Sequence, residues 1–260
     1  MKRLNFCFAA FCILITSSLS AQVPRRIVED DLAKSFKKIN NWYQQRDKDT
    51  TGAWGDSLQS ANDVFGKKLQ YYTNKYLPTI YSLNNLEPLG VDINTSADEM
   101  FRIYSWDTWT GGTMHYFENV MQYKVGNRTY SILDTASAES QNYVFPYYKL
   151  HTLKVDNHNY YLAIYYGVFS GKDRGQGIRI FTINQGKLED AKLIKTQSGL
   201  HNKLYYDFDG FTGNSKVNEN ILYNEATRTI SLPVVLDNGK LTAKRILYKF
   251  TGQYFERIKI

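Results

Sequence analysis

The sequence predicts an α+β fold, with an N-terminal amphipathic helical hairpin followed by a large antiparallel β-meander in the form of a sheet, a barrel or a propeller-like array. The hydrophobic residues recur at helical spacing in the first part of the chain and at alternate positions from about residue 100 onward. Turn dipeptides with Gly or Asn separate the strand-like segments. The 21 Tyr and 14 Phe of the chain favour half-buried β-sheet surfaces.

Residues 1–21 have the features of a signal peptide. Lys2 and Arg3 precede an apolar segment at residues 4–15, and small residues at 18, 20 and 21 fit cleavage after Ser20 or Ala21. This segment is shorter than the about 20 residues that span a bilayer, so cleavage is favoured over retention as an anchor. We expect a secreted or periplasmic protein with no transmembrane span after signal removal.

Both cysteines, Cys7 and Cys12, lie within the predicted signal peptide. The mature chain then has no disulfide, no thiolate metal site and no cysteine nucleophile. Removal of Lys2 and Arg3 lowers the formal net charge from +7 to +5, and the other basic residues are dispersed along the sequence. This pattern argues against a nucleic-acid partner and fits a glycan or another anionic envelope polymer, or simply a need for solubility.

Residues 22–78 are predicted to form the helical hairpin, because apolar residues recur every three to five positions. In the first helix these are Ile27, Leu32, Phe36, Ile39 and Tyr43, and in the second Leu58, Ala61, Phe65, Leu69, Tyr72 and Tyr76. Asp56 is the predicted N-cap of the second helix, and Pro78 the residue that ends it. Residues 79–99 show no period and are assigned to a connecting segment.

Residues 100–260 are predicted to form an antiparallel β domain that packs with the hairpin as one unit. Residues 159–169 are apolar or aromatic on both faces, as expected for a central strand. Asp237, Asn238 and Gly239 indicate a β-hairpin turn. Pro233 precedes it in a strand, and the lack of an N–H donor predicts an edge position or a bulge there.

The most unusual segment is YSWDTWTGGTMHYF at residues 104–117. If Gly111 and Gly112 form a tight turn and Asp107 lies opposite Thr113, antiparallel pairing places Ser105 opposite His115. Ser105, Asp107 and His115 would then supply a nucleophile, an orienting carboxylate and a base on one surface. The alternative is that these polar side chains only cap backbone groups near a turn.

The aromatic residues of the same segment suggest a second kind of site. Trp106, Trp109, Tyr104 and Tyr116 are predicted to form a ligand-binding surface, since exposed aromatic rings at loop tips bind sugars or partner proteins. The alternative is that these rings close one end of the hydrophobic core.

Carboxylate and amide oxygens cluster in DFDGFTGN, residues 207–214. Asp207, Asp209 and Asn214 could bind calcium, although the spacing does not match an EF-hand loop and the segment also fits an ordinary turn. No other cofactor is expected.

The sequence therefore favours an exported binding protein that uses an aromatic-rich β face. The alternatives are a hydrolase of envelope or environmental polymers with Ser105, Asp107 and His115 as its catalytic set, and a structural envelope component.

Overall fold

The computed structural model describes residues 24–75, 83–135, 143–211 and 220–258. The predicted signal peptide at residues 1–21 lies outside the described residues, as do Tyr76 and Pro78. No helix within the described ranges has the length and apolar character needed to cross a membrane.

Two helices precede the strands, which confirms the α+β prediction. They are α1 (Arg25–Gln45) and α2 (Trp54–Lys75), and a short 3₁₀ helix follows at Asn84–Leu89. The strands are, in chain order, β1 (Val91–Thr95), β2 (Phe101–Asp107), β3 (Phe117–Val125), β4 (Arg128–Asp134), β5 (Tyr147–Val155), β6 (His158–Val168), β7 (Asp173–Asn184), β8 (Lys187–Asp190), β9 (Ile194–Thr196), β10 (Gly199–His201), β11 (Lys203–Asp209), β12 (Leu222–Asn224), β13 (Thr229–Val235), β14 (Leu241–Phe250) and β15 (Phe255–Ile258).

The strands form three open sheets. Sheet 1 has the order β1-β2-β3-β4, sheet 2 has the order β11-β7-β6-β5 with β8 also paired to β7, and sheet 3 has the order β10-β9-β15-β14-β13-β12. Sheets 1 and 2 are antiparallel throughout, whereas β9 pairs in parallel with β15 in sheet 3. None of the three sheets closes, so the β region takes the sheet form of the predicted meander.

The helices and sheets stack in four layers with a hydrophobic core between each neighbouring pair. The core between the helices and sheet 1 contains Leu32, Phe36, Phe65, Trp106 and Val120. The core between sheets 1 and 2 contains Phe101, Ile103, Met121, Tyr161 and Phe181. The core between sheets 2 and 3 contains Leu162, Ile180, Ile230, Phe250 and Phe255. The two inner sheets are therefore covered on both faces.

Strand β6 shows why the prediction of a central strand is correct. It lies between β5 and β7, and its successive side chains alternate between two cores. Tyr161 and Ala163 face sheet 1, whereas Leu162 and Ile164 face sheet 3. Because both faces are buried, the strand needs apolar residues at every position.

The predicted hairpin near residue 238 is also confirmed. Gly239 adopts a φ of 79°, and its N–H donates to the carbonyl of Leu236 at 2.8 Å. The register of β13 against β14 shifts between Pro233 and Val235, which is the predicted bulge. Strand β12 pairs only with residues 229–231, so the missing N–H of Pro233 costs no ladder bond on that side.

Two helix predictions and one prediction for the connecting segment need correction. Val28 is 1% exposed whereas Ile27 is 55% exposed, so the buried stripe of α1 begins one residue later than predicted. Helix α2 begins before Asp56, and the carboxylate of Asp49 accepts the N–H of Trp54 at 2.7 Å in place of the predicted cap. Strand β1 lies within the segment assigned as a connection, because five residues are too short to reveal an alternating pattern.

A buried amide joins the helical hairpin to sheet 1. The Nδ2 of Asn62 on α2 donates to the carbonyls of Leu58 and Thr108, both at 2.9 Å. The Oδ1 of Asn62 accepts the indole N–H of Trp106 at 3.1 Å. Asn62 is 0% exposed and its amide is thus satisfied from two elements, which fixes α2 against the end of β2.

A buried carboxyl also lies between α2 and sheet 1. Glu118 on β3 is 6% exposed, and its Oε2 has no hydrogen-bond partner. It lies beside Gly66 of α2. Burial, with a smaller contribution from the charge of Asp63, raises the pKa of Glu118 to about 7. The protonated form is therefore favoured in this position up to near-neutral pH.

Replacement of Asn62 by Ala is expected to destabilise the protein by about 3 kcal/mol, because Trp106 Nε1 and the Thr108 carbonyl lose their buried partner. The measurement is chemical denaturation followed by tryptophan fluorescence. The control is Gln59→Ala, since this exposed residue on the same helix bonds only to Asp63. Equal denaturation midpoints for the two variants would contradict the role assigned to Asn62.

Replacement of Glu118 by Gln is expected to change the dependence of stability on pH. The folded pKa of about 7 lies above the unfolded value of 4.5, so this carboxyl stabilises the fold fully below pH 4.5 and loses that effect as the pH rises through 7. Between pH 4 and 8 the variant should gain about 3 kcal/mol relative to the wild type.

Urea denaturation at several pH values measures this difference, with Glu189→Gln on β8 as an exposed control. A stability difference between wild type and Glu118→Gln that stays constant from pH 4 to 8 would refute the assignment.

Candidate functional site

Residues 108–116, here called the Trp loop, connect β2 to β3. Asp107 pairs with Phe117 and Ser105 with Asn119, so the predicted pairing of Asp107 with Thr113 is wrong. The chain leaves the ladder after Asp107 and forms a wide loop instead of a tight turn at the two glycines. Thr108 closes this loop, because its N–H and its hydroxyl both donate to the carbonyl of Tyr116 at 2.9 Å.

The structure brings Asp107 and His115 together as predicted, although through the loop and not through the ladder. Asp107 Oδ2 lies 2.5 Å from His115 Nδ1, and Asp107 Oδ1 accepts the N–H of Trp109 at 2.8 Å. The His115 side chain is 33% exposed. With Nδ1 directed at a carboxylate, Nε2 is the ring atom available to exchange a proton with a bound molecule.

Ser105 is not part of this pair. It lies opposite Asn119, is 0% exposed, and its Oγ accepts the N–H of Tyr147 from sheet 2 at 3.0 Å. The predicted placement of Ser105 opposite His115 is therefore wrong, and the hydroxyl holds two sheets together instead. The prediction fails because the β2–β3 ladder ends at Asp107 and Phe117, so His115 lies in the wide loop and has no partner in that ladder.

The predicted aromatic surface is divided between the core and the loop. Tyr104 and Trp106 are each 1% exposed, because the even-numbered positions of β2 face the helices. These two rings close the core, which corrects their prediction as an exposed surface. Trp109 stacks on Tyr43 of α1 with a centroid distance of 4.6 Å, and Tyr116 is 37% exposed.

The predicted calcium ligands are engaged in other contacts where they are described. The hydroxyl of Tyr205 donates to Asp207, and Asp209 forms an ion pair with Lys172 at 3.1 Å. Asn214 lies outside the described residues. Within the described ranges, no three His, Cys, Asp or Glu side chains are grouped so that they could hold a metal ion. The calcium site stays a prediction.

A cavity of about 460 Å³ opens beside the Trp loop, at the end of sheet 2. Its lining combines aromatic rings, backbone glycines and polar side chains, namely Tyr148, Tyr166, Gly167, Val168, Arg174, Gly175, Gln176, Phe208, Gly210 and Asn220. Its volume falls in the range of small-molecule sites.

Three of the residues that line this cavity are linked by hydrogen bonds. The hydroxyl of Tyr148 donates to Gln176 Oε1 at 2.8 Å, and Gln176 Nε2 donates to Asn220 Oδ1 at 3.1 Å. Gln176 is 6% exposed and lies two residues before Ile178 on the same face of β7, where the apolar core between sheets 2 and 3 gives way to the cavity. The network thus fixes the orientation of three polar side chains at the cavity wall.

The cavity and the Trp loop share residues of β6. The N–H of His115 donates to the carbonyl of Val168 at 3.0 Å. The ring of Phe117 stacks on His115 at 6.3 Å and meets Tyr166 edge to face at 5.7 Å. Because Val168 and Tyr166 also line the cavity, the Asp107–His115 pair and the cavity belong to one surface region, here called the loop–cavity site.

Tyr166 is the aromatic ring common to both parts of this site. Burial, together with the charges of Asp92 and Asp107, raises the pKa of Tyr166 to about 12. Its hydroxyl therefore stays protonated at neutral pH and can donate a hydrogen bond to a molecule in the cavity.

The predicted richness in aromatic residues on the β sheets is confirmed. On the opposite face of sheet 2, Tyr165 and Tyr205 lie nearly parallel with centroids 6.2 Å apart, and Phe145 stacks on both. A Cβ at Gly177 would lie 2.1 Å from the ring of Tyr165. Gly177 is therefore required for this ring to lie flat on the strand.

Sequence reasoning missed the cavity. Strand β7 begins at Asp173, so Gly175, Gln176 and Gly177 of the glycine-rich segment 171–177 belong to a strand. The one available signal was the presence of Tyr, Gly and Gln among the apolar residues of these strands. Such a pattern does not show that β5, β6, β7 and β11 together line a cavity at this end of sheet 2.

No protein-family model matches the chain, and no curated protein and no solved structure is significantly similar to it.

Proposed function

We propose that the protein is an exported binding protein that takes a sugar-like ligand into the loop–cavity site. The observation that carries this proposal is the ordered chain from Tyr148 through Gln176 to Asn220 between aromatic walls. Amide and hydroxyl groups match the hydroxyl groups of a sugar as donors and acceptors, while aromatic rings cover its apolar C–H face.

Secretion or transfer to the periplasm is part of this proposal, on the basis of the charged and apolar segments in residues 1–21. A glycan or another envelope polymer fits an exported protein of positive net charge. The exposed aromatic ring of Tyr116, in the Trp loop, would add contact area for a chain longer than one sugar unit.

Replacement of Gln176 by Leu is expected to lower the affinity for a bound oligosaccharide on the order of tenfold, because it removes the central link of the hydrogen-bond chain. A glycan array identifies a ligand, and calorimetry then compares the dissociation constants. Gln253→Leu, in the exposed turn before β15, is the matched control. An unchanged affinity in a folded Gln176→Leu protein would exclude the cavity as the binding site.

A hydrolase is the second candidate, and the contact of Asp107 with His115 is the observation that favours it. In this form Ser105 has no role, since its buried hydroxyl is bonded to Tyr147. His115 would act as a general base on a water molecule that attacks a bound ester or glycoside, and Asp107 would orient the imidazole.

For the hydrolase, His115→Ala is expected to abolish turnover of a chromogenic ester or glycoside panel while the thermal unfolding midpoint changes little. His158→Ala is the control, because His158 is an exposed residue at the start of β6. Equal turnover by the two variants, or no turnover by the wild type, would rule out the hydrolase.

A further inference from the structure

We infer that the ligand of the loop–cavity site carries a carboxylate or phosphate group and that Arg174 binds it. This inference rests on the proposed binding function and adds the charge of the ligand. It follows from an imbalance of charge in the cavity wall.

Arg174 is the one charged side chain among the described residues that line the cavity. Within the described part of the chain it forms no ion pair, and its hydrogen bond is a long one of 3.5 Å to the carbonyl of Gly171. An arginine prefers a planar anion that accepts two of its N–H groups. A ligand anion would supply the negative charge and the hydrogen-bond acceptors that the described protein groups do not give Arg174.

The surroundings of the cavity reinforce this preference. Arg245 donates to the backbone carbonyl of Asn220 at 2.6 Å, so a second guanidinium lies next to a residue that lines the cavity. The nearby Lys172 is balanced by Asp209 in an ion pair at 3.1 Å. The described residues that line the cavity include no carboxylate to balance Arg174, and the nearby carboxylate of Asp107 is engaged by His115.

The position of Arg174 also defines the orientation of the ligand. It lies opposite Phe208 in the β7–β11 ladder and opposite Val168 in the β6–β7 ladder. Its Cγ approaches Gly210, where an added Cβ would lie at 2.9 Å. The absence of a side chain at Gly210 leaves room for the arginine stem, so the guanidinium can reach a charged substituent while the sugar ring contacts the amides.

The test compares charged and neutral forms of one ligand. The probes are trigalacturonic acid, its methyl ester, glucose 6-phosphate and glucose, and titration calorimetry measures each with the wild type, Arg174→Gln, Arg174→Lys and Gln176→Leu. Arg128→Gln, an exposed arginine at the β3–β4 turn, is the control for general charge.

Arg174→Gln is expected to weaken binding of a charged probe on the order of tenfold and to leave its neutral counterpart unchanged. Arg174→Lys should recover part of the loss, because it restores the charge but not the planar fork. A loss of affinity for trigalacturonic acid in Arg174→Gln assigns a ligand with a carboxylate. A loss of affinity for glucose 6-phosphate in this variant assigns a phosphorylated ligand.

Equal affinity of the wild type for charged and neutral probes, or an equal loss of both in Arg174→Gln, would overturn the anion inference. In that case a loss of every probe in Gln176→Leu would still support the proposed binding function. No effect of Gln176→Leu on any probe, or no binding of any probe by the wild type, would count against both.

Discussion

The arrangement of the loop–cavity site depends on the buried amide of Asn62. This side chain bonds Trp106 and Thr108, the two residues on either side of Asp107. The residues before and after Asp107 are therefore both held by α2, which fixes the direction of the Asp107 side chain at the end of β2. A residue on the helical hairpin thus determines the direction of a side chain of the candidate site in the β region.

The same constraint extends through the Trp loop to sheet 2. Asp107 holds both Trp109 and His115, and the N–H of His115 is bonded to Val168 on β6. Trp109 in turn stacks on Tyr43 of α1 and has a φ of 57°, in the region that favours glycine. A non-glycine residue keeps such a conformation only when its surroundings compensate for it, and here the stacking and the Asp107 bond both do so.

The sequence was sufficient to predict the parts of the fold that depend on local periodicity. The stripe from Leu58 to Leu69 identified α2, and the continuous apolar segment 159–169 identified the central strand β6. It was not sufficient for β1, which is too short to show a period, or for the parallel pairing of β15 with β9, which depends on contacts far apart in the sequence.

The candidate site was predicted in part for a related reason. Asp107 and His115 do lie together, but the predicted register that placed them on one surface was wrong, because it depended on loop length, which two adjacent glycines do not determine. Strand β2 is buried on both faces, so alternation could not show that Trp106 faces the helices while Ser105 faces sheet 2. Only the stacking of layers distinguishes these two faces.

The layered arrangement also explains why the polar groups converge where they do. Side chains inside the stack are mostly apolar or hydrogen-bonded, as those of Ser105 and Asn62 are, because an unbonded polar group there is costly. Glu118 is an exception, and its burial raises its pKa to about 7. At the end of sheet 2 the core between sheets 2 and 3 stops at Ile178, and Gln176 is the next side chain on that face. Polar side chains at this boundary line the cavity while packed neighbours hold them in position. The position of the proposed binding site at the end of the stack therefore follows from the same burial rule that determines its core.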